Sequence, residues 1–263
     1  MKTIKSSDGT LIAYEKTGEG PPLVLVHGTP DDHTYWEMVL PMLTKHFTTY
    51  TIDRRGRGKS GDAAGYKLEL EFDDVASVVD MIGQQVILLG HSHGGIVSLE
   101  AATRTNNLSK LILYEPPIMN GGEEPDNSLL DAVANIEASL KEGKNEQALL
   151  LFQKELVGMP PEEIENERST PYWQVTVNAA PTLPRELKAA AEYEFDATRF
   201  NGLSIPTLLL SGSESPSLFK EVTKILDETL PNSKIITLEG QEHDAARTAP
   251  DLFADKVIKF ARE

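Results

Sequence analysis

The decisive stretch is Val86-Ile87-Leu88-Leu89-Gly90-His91-Ser92-His93-Gly94-Gly95-Ile96. Four apolar residues in a row before Gly90 read as a strand buried on both faces, and helical spacing begins at Ile96. A G-x-S-x-G pentapeptide between a strand and a helix holds its serine in a strained turn, with the hydroxyl standing clear of the sheet. Glycine on either side lets strand and helix pass closely. The helix start offers backbone N–H groups and a positive dipole end to a developing oxyanion. Ser92 is therefore a candidate nucleophile, and a glycine-rich turn that merely begins a helix is the plainer alternative.

Outward from this point, short apolar runs alternate with amphipathic stretches. Strands are expected at Leu11–Glu15, Leu23–Val26, Phe47–Ile52 and Leu111–Tyr114, and helices at Tyr35–Leu43, Phe72–Ile82 and Ile96–Thr105. This rhythm predicts a parallel sheet covered on both faces. It breaks between about 116 and 200, where eight of the 16 prolines fall and only helical patterns appear. It resumes with strands at Thr207–Leu210 and Lys234–Leu238 and helices at Leu218–Leu230 and Pro250–Phe260.

A chain of 263 residues, 40% apolar and 25% charged, has an ordinary globular balance. The 41 acidic residues against 25 basic ones leave a net charge of −16, which disfavours nucleic acid and anionic membrane surfaces as partners. The absence of cysteine excludes disulfides, thiolate metal sites and a cysteine nucleophile. The N-terminal MKTIKSSDGT has no apolar signal region and no apolar run is long enough to span a membrane, so a cytoplasmic protein is expected. His91 and His93 lack a third ligand at metal-binding spacing, so no metal is expected. The cluster Arg54, Arg55, Arg57 and Lys59 reads as surface ion pairing.

At this point the chain resembles the α/β-hydrolase superfamily over nearly its whole length. Three further segments carry the likeness: His27-Gly28-Thr29, Asp53-Arg54-Arg55-Gly56-Arg57-Gly58-Lys59-Ser60-Gly61 and Leu238-Glu239-Gly240-Gln241-Glu242-His243. The resemblance implies a mostly parallel eight-stranded sheet flanked by helices. It also implies a core of residues 1–115 and 201–263, a helical cap of 116–200 inserted after strand six, and the order serine, acid, histidine. It places the oxyanion hole at the backbone N–H groups of Thr29 and His93. The cap implies a substrate pocket for which His27, Met119, Met159, Tyr172 and Trp173 are candidate walls; the last four are also well explained as cap core, the commoner outcome for such residues.

His243 is also reached by elimination. His27, His91 and His93 are fixed in glycine turns, and His33 and His46 flank a predicted surface helix. Only His243 lies in a loop after a strand near the C-terminus, where a base can reach Ser92. The acid departs from the family pattern, because its usual place holds Ser215. Glu115, at the end of the strand Leu111–Tyr114, is the first candidate; haloalkane dehalogenases of similar fold can take their acid from there. Glu214 is the second, and Asp244 a distant further one. The expected activity is cofactor-independent hydrolysis of a small carboxylic ester, lactone or thioester through an acyl-enzyme, by a monomer or small homo-oligomer. The alternatives are perhydrolase or haloperoxidase chemistry, C–C bond hydrolysis or hydroxynitrile cleavage with the same triad, and a ligand-binding or signalling protein on the same scaffold. The displaced acid is the one feature that favours the last.

Overall fold

The computed structural model describes residues 1–118 and 127–263. Eight strands form one sheet: β1 Lys2–Lys5, β2 Leu11–Thr17, β3 Pro22–Val26, β4 Thr48–Ile52, β5 Val86–His91, β6 Leu108–Tyr114, β7 Thr207–Gly212 and β8 Ser233–Leu238. Their order is β1-β2-β4-β3-β5-β6-β7-β8. The β1–β2 and β2–β4 pairs are antiparallel and every other pair is parallel. The eight-stranded, mostly parallel sheet expected from the sequence is therefore present. Strand β1 carries no apolar alternation, because Lys2-Thr3-Ile4-Lys5 is an edge with little to bury.

The helices in chain order are α1 Leu40–Leu43, α2 Leu68–Ile82, α3 His93–Ala101, α4 Asn127–Lys141, α5 Asn145–Leu151, α6 Pro161–Arg168, α7 Tyr172–Ala179, α8 Leu183–Ala191, α9 Ser217–Thr229, α10 Ala245–Thr248 and α11 Pro250–Arg262. The helix expected over Tyr35–Leu43 is instead a 3₁₀ turn at His33–Trp36 followed by the short α1. Pro41 explains the break, since it lacks an N–H and its ring clashes with the preceding turn of a continuous helix. Among the described residues, no helix is long and apolar enough to cross a membrane.

Apolar residues fill both faces of the sheet. On one side α2 and α3 bury Phe72, Val75, Val79 and Ile96 against Val24, Leu88 and Leu113. On the other, α11 buries Phe253, Val257 and Phe260 against Leu25, Leu89 and Leu208. Each fully buried chain of this kind contributes about 1.5–3 kcal/mol. Helices α4 to α8 lie between β6 and β7 in the chain and have a separate core of Ile136, Leu149, Phe152, Ile164, Trp173 and Leu183.

Because β3 and β5 to β8 run parallel, they all end at one edge of the sheet. The chain leaves that edge through His27–Thr29 after β3, Ser92 after β5, Glu115 after β6 and the loop to His243 after β8. This edge is where open α/β sheets collect their ligands.

Candidate active site

Ser92 stands between β5 and α3 with φ 52° and ψ −128°, a left-handed backbone that is costly for a residue with a side chain. Its N–H donates to the Tyr114 carbonyl at 2.9 Å, tying the turn to β6. The loop after β3 packs directly on the turn. A Cβ added to Gly94 would lie 2.4 Å from the His27 carbonyl oxygen, and one on Gly28 would lie 2.9 Å from the Ser92 Cβ. Gly94→Ala would therefore push the two loops apart. Neither the Thr29 nor the His93 N–H has an acceptor among the described residues.

The His243 Nδ1 lies 2.7 Å from the Glu115 Oε2. Glu115 is fully buried, and its other oxygen accepts the Gly212 N–H at 2.7 Å and the Ser211 hydroxyl at 3.2 Å. Burial works to raise its pKa, but His243 and the Gly212 N–H outweigh burial and hold the carboxyl below its ordinary value. The imidazole therefore donates from Nδ1 to a carboxylate, which leaves Nε2 as the basic nitrogen. Glu115 is itself left-handed, with φ 47°, which turns its side chain back across the sheet edge. Glu214 is exposed and accepts the Ser213 hydroxyl at 3.0 Å, and the Asp244 carboxylate lies 3.5 Å from Arg247.

Three residues that the sequence reading gave no role fix the His243 loop. The Tyr114 hydroxyl donates to the Glu242 carbonyl and accepts the Ala245 N–H at 3.0 Å. The His91 Nε2 donates to the His243 carbonyl at 2.9 Å. Burial, and then the neighbouring His243, push the His91 pKa well below its usual value, so the ring stays neutral. Phe219 stacks on the His243 ring with centroids 4.2 Å apart. Tyr114 and His91 stand beside Glu115 and Ser92 in sequence, which was their only available signal.

The arginine cluster corrects an expectation. Arg54, Arg55 and Arg57 are only 1–2% exposed, while Lys59 is on the surface. Arg55 forms a two-pronged pair with Asp74, both contacts at 2.7 Å. Arg54 and Arg57 each meet Glu186 of α8 at 2.7 Å. The carboxylates that make burial tolerable lie far away in sequence, so the cluster looks solvated when read locally.

The expected pocket residues do not converge on Ser92 as a group. His27 is fully buried with both ring nitrogens engaged: Nδ1 lies 2.8 Å from the Gly28 carbonyl and Nε2 accepts the Arg54 N–H at 3.1 Å. Met159 and Trp173 pack into the core of the α4–α8 region. Tyr172 lies under the Arg247 guanidinium, 3.7 Å from the ring centroid. Met119 falls outside the described residues. A groove of about 620 Å³ does lie between α2 and α8, lined in part by Tyr66, Leu68, Phe72 and Tyr193, and it contains none of the expected wall residues.

Comparison with known proteins agrees with this architecture. Residues 23–256 match the alpha/beta hydrolase family. The chain is similar to the crystal structure of an alpha/beta hydrolase from Sphaerobacter thermophilus, with 35% identity, a TM-score of 0.85, and coverage of 99% of this chain and all of that one. It is similar to esterase RhEst1 from Rhodococcus sp., with 28% identity, a TM-score of 0.79, and coverage of 100% and 98% of the two chains. It is also 25% identical over 252 residues to (E)-2-((N-methylformamido)methylene)succinate hydrolase from Acinetobacter baylyi, covering 95% of this chain and 94% of the relative. Esterases, other hydrolases and haloperoxidases are all among its relatives. The strand order, the strained serine turn after β5 and the matched span together place this chain in the alpha/beta hydrolase family.

Proposed function

We propose that this protein is a serine hydrolase that cleaves a carboxylic ester, lactone or thioester through an acyl-enzyme without a cofactor. The observation that carries the reading is the 2.7 Å contact between the His243 Nδ1 and a buried Glu115 carboxylate, at the sheet edge where the half-buried Ser92 sits in its strained turn. A serine hydroxyl is a weak nucleophile at neutral pH and needs such an oriented base.

In this reading the Ser92 Oγ attacks the acyl carbon while the His243 Nε2 takes its proton. The carbonyl oxygen becomes an oxyanion held by the Thr29 and His93 N–H groups. Collapse of the tetrahedral intermediate expels the alcohol or thiol, which receives the proton from His243. A water molecule, deprotonated by the same imidazole, then attacks the acyl-enzyme, and Ser92 is restored. Glu115 keeps the Nδ1 proton in place and stabilises the charged ring in both halves.

The esterases among the relatives support ester chemistry, and the non-heme haloperoxidase from Rhodococcus erythropolis supports a second reading in which peroxide replaces water on the same acyl-enzyme. The Glu115–His243 contact supports turnover over the receptor alternative, which a stable acyl-Ser92 that never clears would favour instead. Treatment with a fluorophosphonate, followed by intact mass and peptide mapping, tests the proposal. A single adduct on Ser92, with turnover of p-nitrophenyl esters, is expected. Folded protein left unlabelled at Ser92 contradicts it.

A further inference from the structure

The side chains of the two residues proposed to donate to the oxyanion both reach buried carboxylates. The Thr29 hydroxyl donates to the Glu186 Oε2. The His93 Nε2 lies 3.8 Å from the Glu71 Oε1, which accepts the Tyr66 hydroxyl at 2.6 Å. Arg54 bridges the two acids, with Nη2 at 2.7 Å from Glu186 and Nε at 3.4 Å from Glu71. Arg57 meets the Glu186 Oε2 at 2.7 Å and donates from Nη1 to the Ala179 carbonyl at the end of α7, at 2.6 Å. Arg54, Arg57, Glu71 and Glu186 are each no more than 2% exposed.

The charges balance, with two guanidiniums against two carboxylates. Burial, and then Arg54, hold the His93 pKa down to about 4, and the same two causes push the His27 pKa well below its usual value, so both rings stay neutral. A buried ion network of this kind is weak evidence for stability, since apolar side chains of the same volume often serve a fold equally well. Its position provides a reason for it. Glu186 comes from α8, in the helical region between β6 and β7, yet it touches the loop that carries the Thr29 N–H. An oxyanion donor is effective only when held close to its productive geometry.

We propose that Glu186 is a positioning residue: clamped by Arg54 and Arg57, it holds the Thr29 hydroxyl and thereby aims the Thr29 N–H at the oxygen of the reacting carbonyl. The α4–α8 region then takes part in the chemistry through Glu186. This inference rests on the acyl-transfer reading above and adds to it the identity of the group that shapes the oxyanion loop.

The test uses Thr29→Val, which removes the hydroxyl at nearly constant volume and leaves the backbone N–H. Single-turnover acylation by a p-nitrophenyl ester, steady-state kcat and KM, and melting temperature are measured on the same preparations. Loss of a whole oxyanion donor costs on the order of 10²–10³ in kcat, so a misaimed one should cost roughly 10–100-fold. That loss is expected in kcat, with KM changed by less than about threefold. Thr29→Ser, which restores the hydroxyl, should recover most of it. Glu186→Gln should show the same split, and the double variant should be no slower than the slower single, because both break one contact. If Glu186→Gln fails to fold, Thr29→Val against Thr29→Ser still decides. Wild-type kcat in Thr29→Val with only a lower melting temperature overturns the proposal, as do losses that multiply in the double variant. Fluorophosphonate labelling of wild-type Ser92 separates the two failures: labelled wild type with unaffected variants sinks the positioning role alone, and unlabelled wild type sinks both readings.

Discussion

Two imidazole–carboxylate pairs in this protein have the same 2.7 Å separation, His243 with Glu115 and His33 with Asp53, and their surroundings give them different work. Around His33, Asp32 lies 3.8 Å from Nδ1 and Glu15 lies 4.0 Å from Nε2. Asp53 also accepts the backbone N–H groups of His33 and Lys59, at 3.0 and 2.7 Å. The Asp53 hydrogen bond raises the His33 pKa against the effect of partial burial, which favours the charged ring, and the pair braces two loops. His243 meets one carboxylate, and its other close neighbours are rings: Phe219 at 4.2 Å, His91 at 4.6 Å and Tyr114 at 6.0 Å. The lesson is that the contact alone does not make a base. Further acids surround His33, whereas among the described contacts Glu115 is the one carboxylate within 4.0 Å of the His243 ring nitrogens.

The comparison can be broken at either pair. The largest effect is expected from Ser92→Ala, which should abolish fluorophosphonate labelling and lower kcat by about 10⁶ on the scale of other serine triads. A variant that keeps most of its turnover would show that the base serves a different nucleophile. Next comes Glu115→Gln, which keeps the shape of the side chain but presents the wrong partner to the Nδ1 proton; a loss of roughly 10⁴ in acylation is the scale for such a change.

Tyr114→Phe sharpens the account of how His243 is held. It removes the hydroxyl that pins Glu242 and Ala245, a net hydrogen-bond loss of about 1–2 kcal/mol in thermal stability. It should also cost on the order of tenfold in kcat, as a base displaced by a fraction of an ångström reacts more slowly. Stability loss without any loss of kcat would confine Tyr114 to the fold. The smallest effect is at the other pair. A histidine whose folded pKa is raised stabilises fully below its unfolded value of about 6.5, and that contribution fades as the pH climbs through the folded value. The melting-temperature gap between wild type and His33→Gln should therefore be widest at pH 6 and narrow as the pH rises above it, with kcat little changed. A gap that widens with pH would reverse the charge assignment.

What the sequence made legible was local. The strand, glycine turn and helix around Ser92 are contiguous, and His243 follows a strand, so periodicity and turn chemistry suffice to find them. Glu115 was legible as the end of β6, but its left-handed backbone and its grip on the Gly212 N–H come from the neighbouring strand. The burial of Arg54 and Arg57 was hidden, because their partner Glu186 lies about 130 residues away on α8 and no local pattern announces it. Trp173 and Met159 carried the same apolar signal whether they lined a pocket or filled a core, and packing chose the core.

The central claim is that Glu115 orients His243 to make Ser92 a nucleophile, and the most direct measurement is the single-turnover rate of Ser92 acylation by a p-nitrophenyl ester in Glu115→Gln beside Glu214→Gln. With melting temperature followed in parallel, the account predicts a folded Glu115→Gln slowed by several orders of magnitude and a Glu214→Gln within a few-fold of wild type. A crippled Glu214→Gln with a near-normal Glu115→Gln would contradict it.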